Sequence, residues 1–184
     1  MRILGVDPGL TRCGLGVVES GAARRVSVVD VRVATSPSTL ETPARLAQIS
    51  AVLEAMLDEH RPEAVAMERI FARSDVSTIM GTAQVSGVIM LAAERRGLPL
   101  TLYTPSEVKA AVTGNGRADK EQVTFMVTRL LGLAEAPRPA DAADALAIAI
   151  AHAWRGGAAP VGSKATTDAQ RRWAEAEKAA RRRA

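Results

Sequence analysis

Four carboxylates stand where their types and spacing allow chemistry. Asp7 ends the apolar run Ile3-Leu4-Gly5-Val6 and is followed at once by Pro8-Gly9. Glu68 ends a second apolar run, Ala64-Val65-Ala66-Met67. Asp141 and Asp144 lie three apart in Asp141-Ala142-Ala143-Asp144-Ala145-Leu146-Ala147. A short apolar run closed by Pro-Gly reads as a buried strand that stops abruptly. An acid there is costly to bury as a bare charge, so it needs a partner, and a metal ion is one candidate. Asp-Pro-Gly is also common turn chemistry, so Asp7 alone has two readings. A spacing of three puts Asp141 and Asp144 on one helix face. Among small apolar residues they repel each other unless a cation lies between them. The plain alternatives are helix-start acids on a solvated face, favoured there by the helix dipole, and a Glu68 paired with Arg69 or Arg73. Taken together, carboxylate-only ligands favour hard cations, Mg²⁺ or Mn²⁺. Two such ions ~3.5–4 Å apart can activate a water and stabilise the leaving oxygen of a phosphodiester.

Elements must carry these acids to one place. Residues 2–7, 13–18 and 26–33 read as three strands with short connections, hence antiparallel. The adjacent Val28-Val29 breaks the alternation of the third strand and marks a bulge. Thr42-Pro43 opens a helix with Leu46, Ile49, Leu53, Met56 and Leu57 at helical spacing, and Pro62 ends it. Ala64 to Glu68 is apolar without alternation, which places it centrally and in parallel pairing. The C-terminal edge of such strands is where open α/β sheets bind ligands. A long helix, capped by Ser74, runs to about Arg96, with Gly97 and Pro99 as its stop. Val88 to Ala93 is apolar all round and Gly81, Ala83 and Gly87 are small. A surface helix has one apolar stripe, so this one is expected to be buried, against a second copy of the chain in preference to its own body. Leu100-Thr101-Leu102-Tyr103 is a fifth strand. Thr104-Pro105-Ser106-Glu107 is a capping box, and Asp119 with Gln122 repeats the pattern. A last core helix runs from Ala140 to about Trp154. The expected fold is α/β, a five-stranded mixed sheet flanked by helices.

The chain has 184 residues and is 47% hydrophobic, enough for one domain over 1–156. Residues 157–184 form a basic tail expected to be flexible, with a short helix capped by Thr167. The formal net charge is +4. Residues 1–156 hold 17 basic and 17 acidic side chains, so the tail supplies the excess. A neutral body still suits a nucleic-acid partner if metal neutralises some carboxylates. No run approaches the ~20 apolar residues of a membrane span, and the N-terminus lacks a signal-peptide pattern, so a cytoplasmic location is expected. Cys13 is the one cysteine, which excludes an intrachain disulfide and fits a small core residue.

Val6-Asp7-Pro8-Gly9, Met67-Glu68-Arg69-Ile70-Phe71, the Gly114–Val123 segment and Asp141–Ala147 together resemble the signature segments of the RuvC family of bacterial Holliday junction resolvases. The resemblance runs from about residue 2 to 155. It implies a ribonuclease-H-like fold and a homodimer. It also implies Mg²⁺-dependent paired symmetric nicking of four-way DNA junctions in recombination and repair, with Mn²⁺ able to substitute. RuvA and RuvB, the branch-migration proteins, are the implied partners. Asp7, Glu68, Asp141 and Asp144 match the catalytic metal-binding acids; some members carry His where Asp141 stands. Lys109 and Lys120 match basic residues that contact DNA near the scissile phosphate, and Phe71 matches an aromatic that stacks on a base near the crossover. The tail carries no matching motif.

The residues give the three DNA contacts a footing of their own. Lys120 lies by a helix N-terminus just after Gly114 and Gly116, where backbone N–H groups and an ammonium converge on a possible phosphate. Exposed lysines and, for Phe71, a core plug are the plain alternatives; an aromatic beside Arg73 suits base stacking. His60 and His152 receive no role. An actin-like or sugar-kinase phosphotransferase needs a second domain that 184 residues do not supply. A pure junction binder would not set clustered negative charge against phosphate. Another ribonuclease-H-like nuclease, acting on RNA or a different branched DNA, remains the alternative.

Overall fold

The structure, a computed structural model, describes residues 1–69 and 76–155. The expected helix cap at Ser74, the aromatic Phe71 and the tail 157–184 with Thr167 lie outside these residues.

Five strands form one mixed sheet: β1 (Arg2–Asp7), β2 (Arg12–Ser20), β3 (Val26–Thr35), β4 (Ala64–Glu68) and β5 (Leu100–Tyr103). Their order is β3-β2-β1-β4-β5. The hairpin-linked pairs β1–β2 and β2–β3 are antiparallel, while β1–β4 and β4–β5 are parallel. Thus β4 is internal, as its unbroken apolar run requires. The β2–β3 register slips between Val17 and Val18, whose partners are Asp30 and Val28, so Val29 is the extra residue of the expected bulge.

Helices cover both faces. On one side α1 (Thr42–His60) and α2 (Val76–Arg95) pack Ile49, Leu53, Val85 and Ile89 against Leu4, Val6, Leu15 and Val17. On the other side lie α3 (Pro105–Thr113), α4 (Lys120–Leu130) and α5 (Ala140–Arg155), around Ile3, Val18, Ala66 and Tyr103. Cys13 is a buried core residue. Both expected capping boxes form, Thr104 with Glu107 and Asp119 with Gln122. The end of α1 differs from expectation in its cause. Before Pro62, Arg61 already turns left-handed at φ 44°, and its N–H donates to the Leu57 carbonyl.

Helix α2 divides its apolar surface in two. Val85, Ile89, Ala92 and Ala93 are buried in the chain's own core. Met80 (54%), Met90 (41%) and Leu91 (51%) are exposed. The all-apolar segment is therefore half core and half uncovered face.

Helix α5 sets the site, because it lies directly on β1 and β2. A Cβ on Gly5 would stand 2.2 Å from the Ala145 carbonyl oxygen, and one on Gly14 would stand 2.1 Å from that of Asp141. The absent side chains let helix backbone rest on strand backbone.

Candidate active site

Asp7 and Glu68 close two neighbouring parallel strands. Val6 pairs with Met67, so the two acids follow side by side at the C-terminal edge. Strand alternation aims Asp7 to the same face as Gly5, which is the α5 face. Pairing continues past Glu68, whose successor Arg69 donates its N–H to Tyr103 O at 2.7 Å. Opposite Asp7 in the register is Gly14, the residue on which the first turn of α5 rests. That contact delivers Asp141 and Asp144 to the edge where the strands end.

Asp7, Glu68 and Asp144 line one pocket of about 230 Å³, together with Lys109 and Lys120. Asp141 lines an adjoining groove of about 680 Å³ with Thr11, Arg12, Thr42 and Arg45. Burial, followed by the charges of Glu68, Asp144 and Asp141, pushes the Asp7 carboxyl up to about 7, against the pull of Lys120. Burial and then Asp144 also raise Glu68, while Lys120 and Lys109 oppose them. Two cations stand among the acids. Lys120 Nζ lies 2.8 Å from Asp144 Oδ2, and Arg12 Nε lies 3.0 Å from Asp141 Oδ2. The bond to Asp144 is the main reason Lys120 holds its proton above the usual lysine range. Even with both cations near, Asp7 remains short of positive charge. An all-carboxylate donor set with unmet negative charge fits hard divalent cations.

Six of the seven residues singled out in the sequence thus meet at one edge: Asp7, Glu68, Asp141, Asp144, Lys109 and Lys120. Phe71 falls outside the described residues. The surroundings of Lys120 differ from expectation. At the start of α4 the Asp119 carboxylate accepts from Gln122 N at 2.8 Å, which takes one of the amides a phosphate could use. Lys120 turns its ammonium to Asp144 instead. Arg12 is not among the residues that the sequence singles out. The available signal was its place two residues before Gly14, in the strand antiparallel to the one that ends in Asp7.

The two histidines sit apart from this edge. Burial holds His152 below the usual imidazole range, and its Nδ1 lies 3.1 Å from the Tyr103 hydroxyl. His60 joins Asp30 and Glu59 in a second group of ligand-type side chains. That group lies at the end of α1, just before β4 begins, hence on the other sheet face and at the other strand edge. The Arg32 guanidinium already bridges it, 2.7 Å from Asp30 and 2.6 Å from Glu59. It is therefore not the counterpart of the four-acid cluster.

A profile of the family described as crossover junction endodeoxyribonuclease RuvC matches residues 3–152. The crossover junction endodeoxyribonuclease RuvC of Saccharopolyspora erythraea is 63% identical over 155 residues, 84% of this chain and 78% of that protein. That of Rhodococcus opacus is 64% identical over 155 residues, 84% of this chain and 82% of its own. Among solved structures, the RuvC of Thermus thermophilus in complex with Holliday junction substrate superposes with a TM-score of 0.81 at 38% identity. The match covers 85% of this chain and 94% of that one. The five-stranded mixed sheet with its flanking helices is ribonuclease-H-like, as in that neighbour. With its fold, its acid edge and a match over nearly all described residues, the chain belongs to the crossover junction endodeoxyribonuclease RuvC family.

Proposed function

We propose that the chain resolves four-way DNA junctions by paired symmetric nicks in recombination and repair. Asp7, Glu68, Asp141 and Asp144 serve as the acids that hold Mg²⁺, with Mn²⁺ able to substitute. The observation that carries this reading is the meeting of four acids with Lys109 and Lys120 at one sheet edge, in a member of this family. Divalent ions bound there supply an activated water and neutralise charge on the leaving oxygen. The chain's own residues do the rest. The strand ends and the first turn of α5 hold the four carboxylates in place before substrate arrives, so little is left to order during reaction. Lys109 and Lys120 turn ammonium groups toward the pocket, where they meet phosphate oxygens as point charges. Phe71 stacks on a base near the crossover.

The working unit is a homodimer. The uncovered face of α2, with Met80, Met90 and Leu91 exposed, is the surface proposed to pack on a second copy. At Gly87 a Cβ would meet nothing within 4 Å, which leaves room for a partner helix to approach. Symmetric nicking then follows from a two-fold pair of sites on a two-fold substrate. RuvA and RuvB are the proposed partner proteins, and the cytoplasm the proposed location. Among the described residues, no helix is long and apolar enough to cross a membrane. Residues 157–184 are proposed as a basic tail appended to the nuclease domain.

Cleavage of a synthetic four-way junction with a short homologous centre tests this, with duplex DNA and RNA–DNA hybrid as controls. Symmetric nicks on the junction alone, present with Mg²⁺ and absent with EDTA, are expected. Asp7→Asn should remove cleavage while keeping or raising junction affinity, because it takes away both a ligand and a repelling charge. Cleavage of the hybrid instead would move the chain to another nuclease class of the same fold.

A further inference from the structure

The two α5 acids are not bare at rest. Asp144 holds the ammonium of Lys120, and Asp141 holds the guanidinium of Arg12. These cations differ in where else they can go. Lys120, 61% exposed, lines the same pocket as Asp7, Glu68 and Asp144. Arg12 stands on the boundary between that cluster and the larger groove, which both it and Asp141 line.

The backbone that carries Arg12 is fixed. Arg45 donates from Nε to Ser36 Oγ at 3.0 Å and from a terminal nitrogen to Thr11 Oγ1 at 2.9 Å. The buried Ser36 hydroxyl in turn donates to the Leu10 carbonyl. On the far side, Gly14 is pressed against Asp141. The Arg12 side chain itself is 59% exposed, whereas that of Asp141 is 18% exposed. A long charged side chain on a fixed base can change partner without moving the fold. Its pair with Asp141 is open to water on one side and holds weakly against a competing ion.

The groove offers that second partner a place. Arg12, Arg45, Thr11 and Thr42 are among its lining residues, beside an α1 start that no side chain caps. Guanidinium and hydroxyl donors of this kind bind the oxygens of a phosphodiester.

We propose that Arg12 is a positioning residue that occupies Asp141 in the DNA-free chain and passes to a backbone phosphate in the adjoining groove when DNA binds. This deepens the metal-dependent nuclease reading and rests on it. While Arg12 sits on Asp141, it competes with a divalent ion for the same oxygen. Once a phosphate draws it away, Asp141 is free to ligate. DNA therefore tightens metal binding, and metal tightens DNA binding by the same factor. The device keeps the hydrolytic centre underloaded until substrate is in place.

The test uses the full chain and Mn²⁺ as probe. Mn²⁺ binding without DNA is titrated by calorimetry for the wild type, Arg12→Ala, Arg12→Lys and Asp141→Asn. Junction affinity is then measured in EDTA over a range of salt. Arg12→Ala should tighten DNA-free Mn²⁺ binding on the order of fivefold or more. It should also weaken the junction in EDTA and reduce the salt slope by about one phosphate contact. Arg12→Lys should fall between, since it keeps the charge and loses the fork. A merely structural role predicts the opposite sign, because a damaged site binds the ion more weakly. Unchanged or weaker Mn²⁺ binding in Arg12→Ala, with the wild type binding normally, overturns the proposal alone. An unchanged salt slope overturns the transfer to phosphate. No Mn²⁺ binding by either the wild type or Arg12→Ala, or an Asp141→Asn that binds as tightly as Arg12→Ala does, overturns the metal reading beneath it.

Discussion

With its carboxyl pushed up to about 7 by burial and three neighbouring acids, Asp7 is about half-protonated at neutral pH in the metal-free chain. An unfolded aspartate titrates near 3.8. Between these values the native state keeps a proton that the unfolded state releases, so stability falls as pH rises. The stabilising contribution is complete below about 3.8 and gone above about 7. Asp7→Asn removes the titration. In EDTA its melting temperature should exceed the wild type's at pH 8, and the gap should close toward pH 4. Adding Mg²⁺ at pH 8 should raise the wild type's melting temperature and leave the variant's nearly unchanged, because the ion needs the ionised acid. Thermal melts with and without Mg²⁺ decide it, and a variant less stable than the wild type at pH 8 would make Asp7 a structural residue. Arg12 belongs to this scale as well. Its partner, Asp141, is 129 residues away, and no local pattern links the two.

Between residues and molecule stand the elements, and α5 is the one on which the site depends. Its closeness to the sheet rests on Gly5 and Gly14, whose missing side chains make room for helix backbone. Overpacking a core costs ~1–3 kcal/mol, and contacts this short place Gly5→Ala and Gly14→Ala at or above that range. Their effects should divide by position along the helix. Gly5→Ala pushes at Ala145 and Ala149 and should act mainly on stability. Gly14→Ala pushes at Asp141, so it should lose cleavage by ~100-fold at a temperature where it is still folded. Urea unfolding beside cleavage rates checks the division; equal activity loss in both would deny Gly14 its special place. Local chemistry made much of this scale readable. The boxes at Thr104 and Asp119 involve side chains only three residues from their partners. Pro62 marks the stop of α1 in the sequence, yet the left-handed residue is Arg61, a type that rarely signals such a turn.

For the whole molecule the uncovered face of α2 governs assembly. Half of its apolar surface is spent on the chain's own core, and Met80, Met90 and Leu91 remain outside. Leu91→Glu sets a charge in the middle of that face without touching the catalytic edge. It should stay folded, elute as a monomer by size exclusion with light scattering, and lose the coincidence of its two nicks. A dimer that survives Leu91→Glu would move the contact elsewhere.

Lys109 and Lys120 stand out only through the family resemblance, whereas the mixed five-stranded sheet and the four acids are legible in the residues themselves. Each of these is written in short stretches, as apolar runs that end in a carboxylate or as acids one helical turn apart. Tertiary structure alone decided that Asp7 and Glu68 stand side by side. It also decided that Gly14 seats the α5 acids beside them and that Arg12 reaches Asp141. Those relations join residues far apart in the chain, and they exist only once β1, β2, β4 and α5 have packed and burial has raised the energy of unpartnered charge.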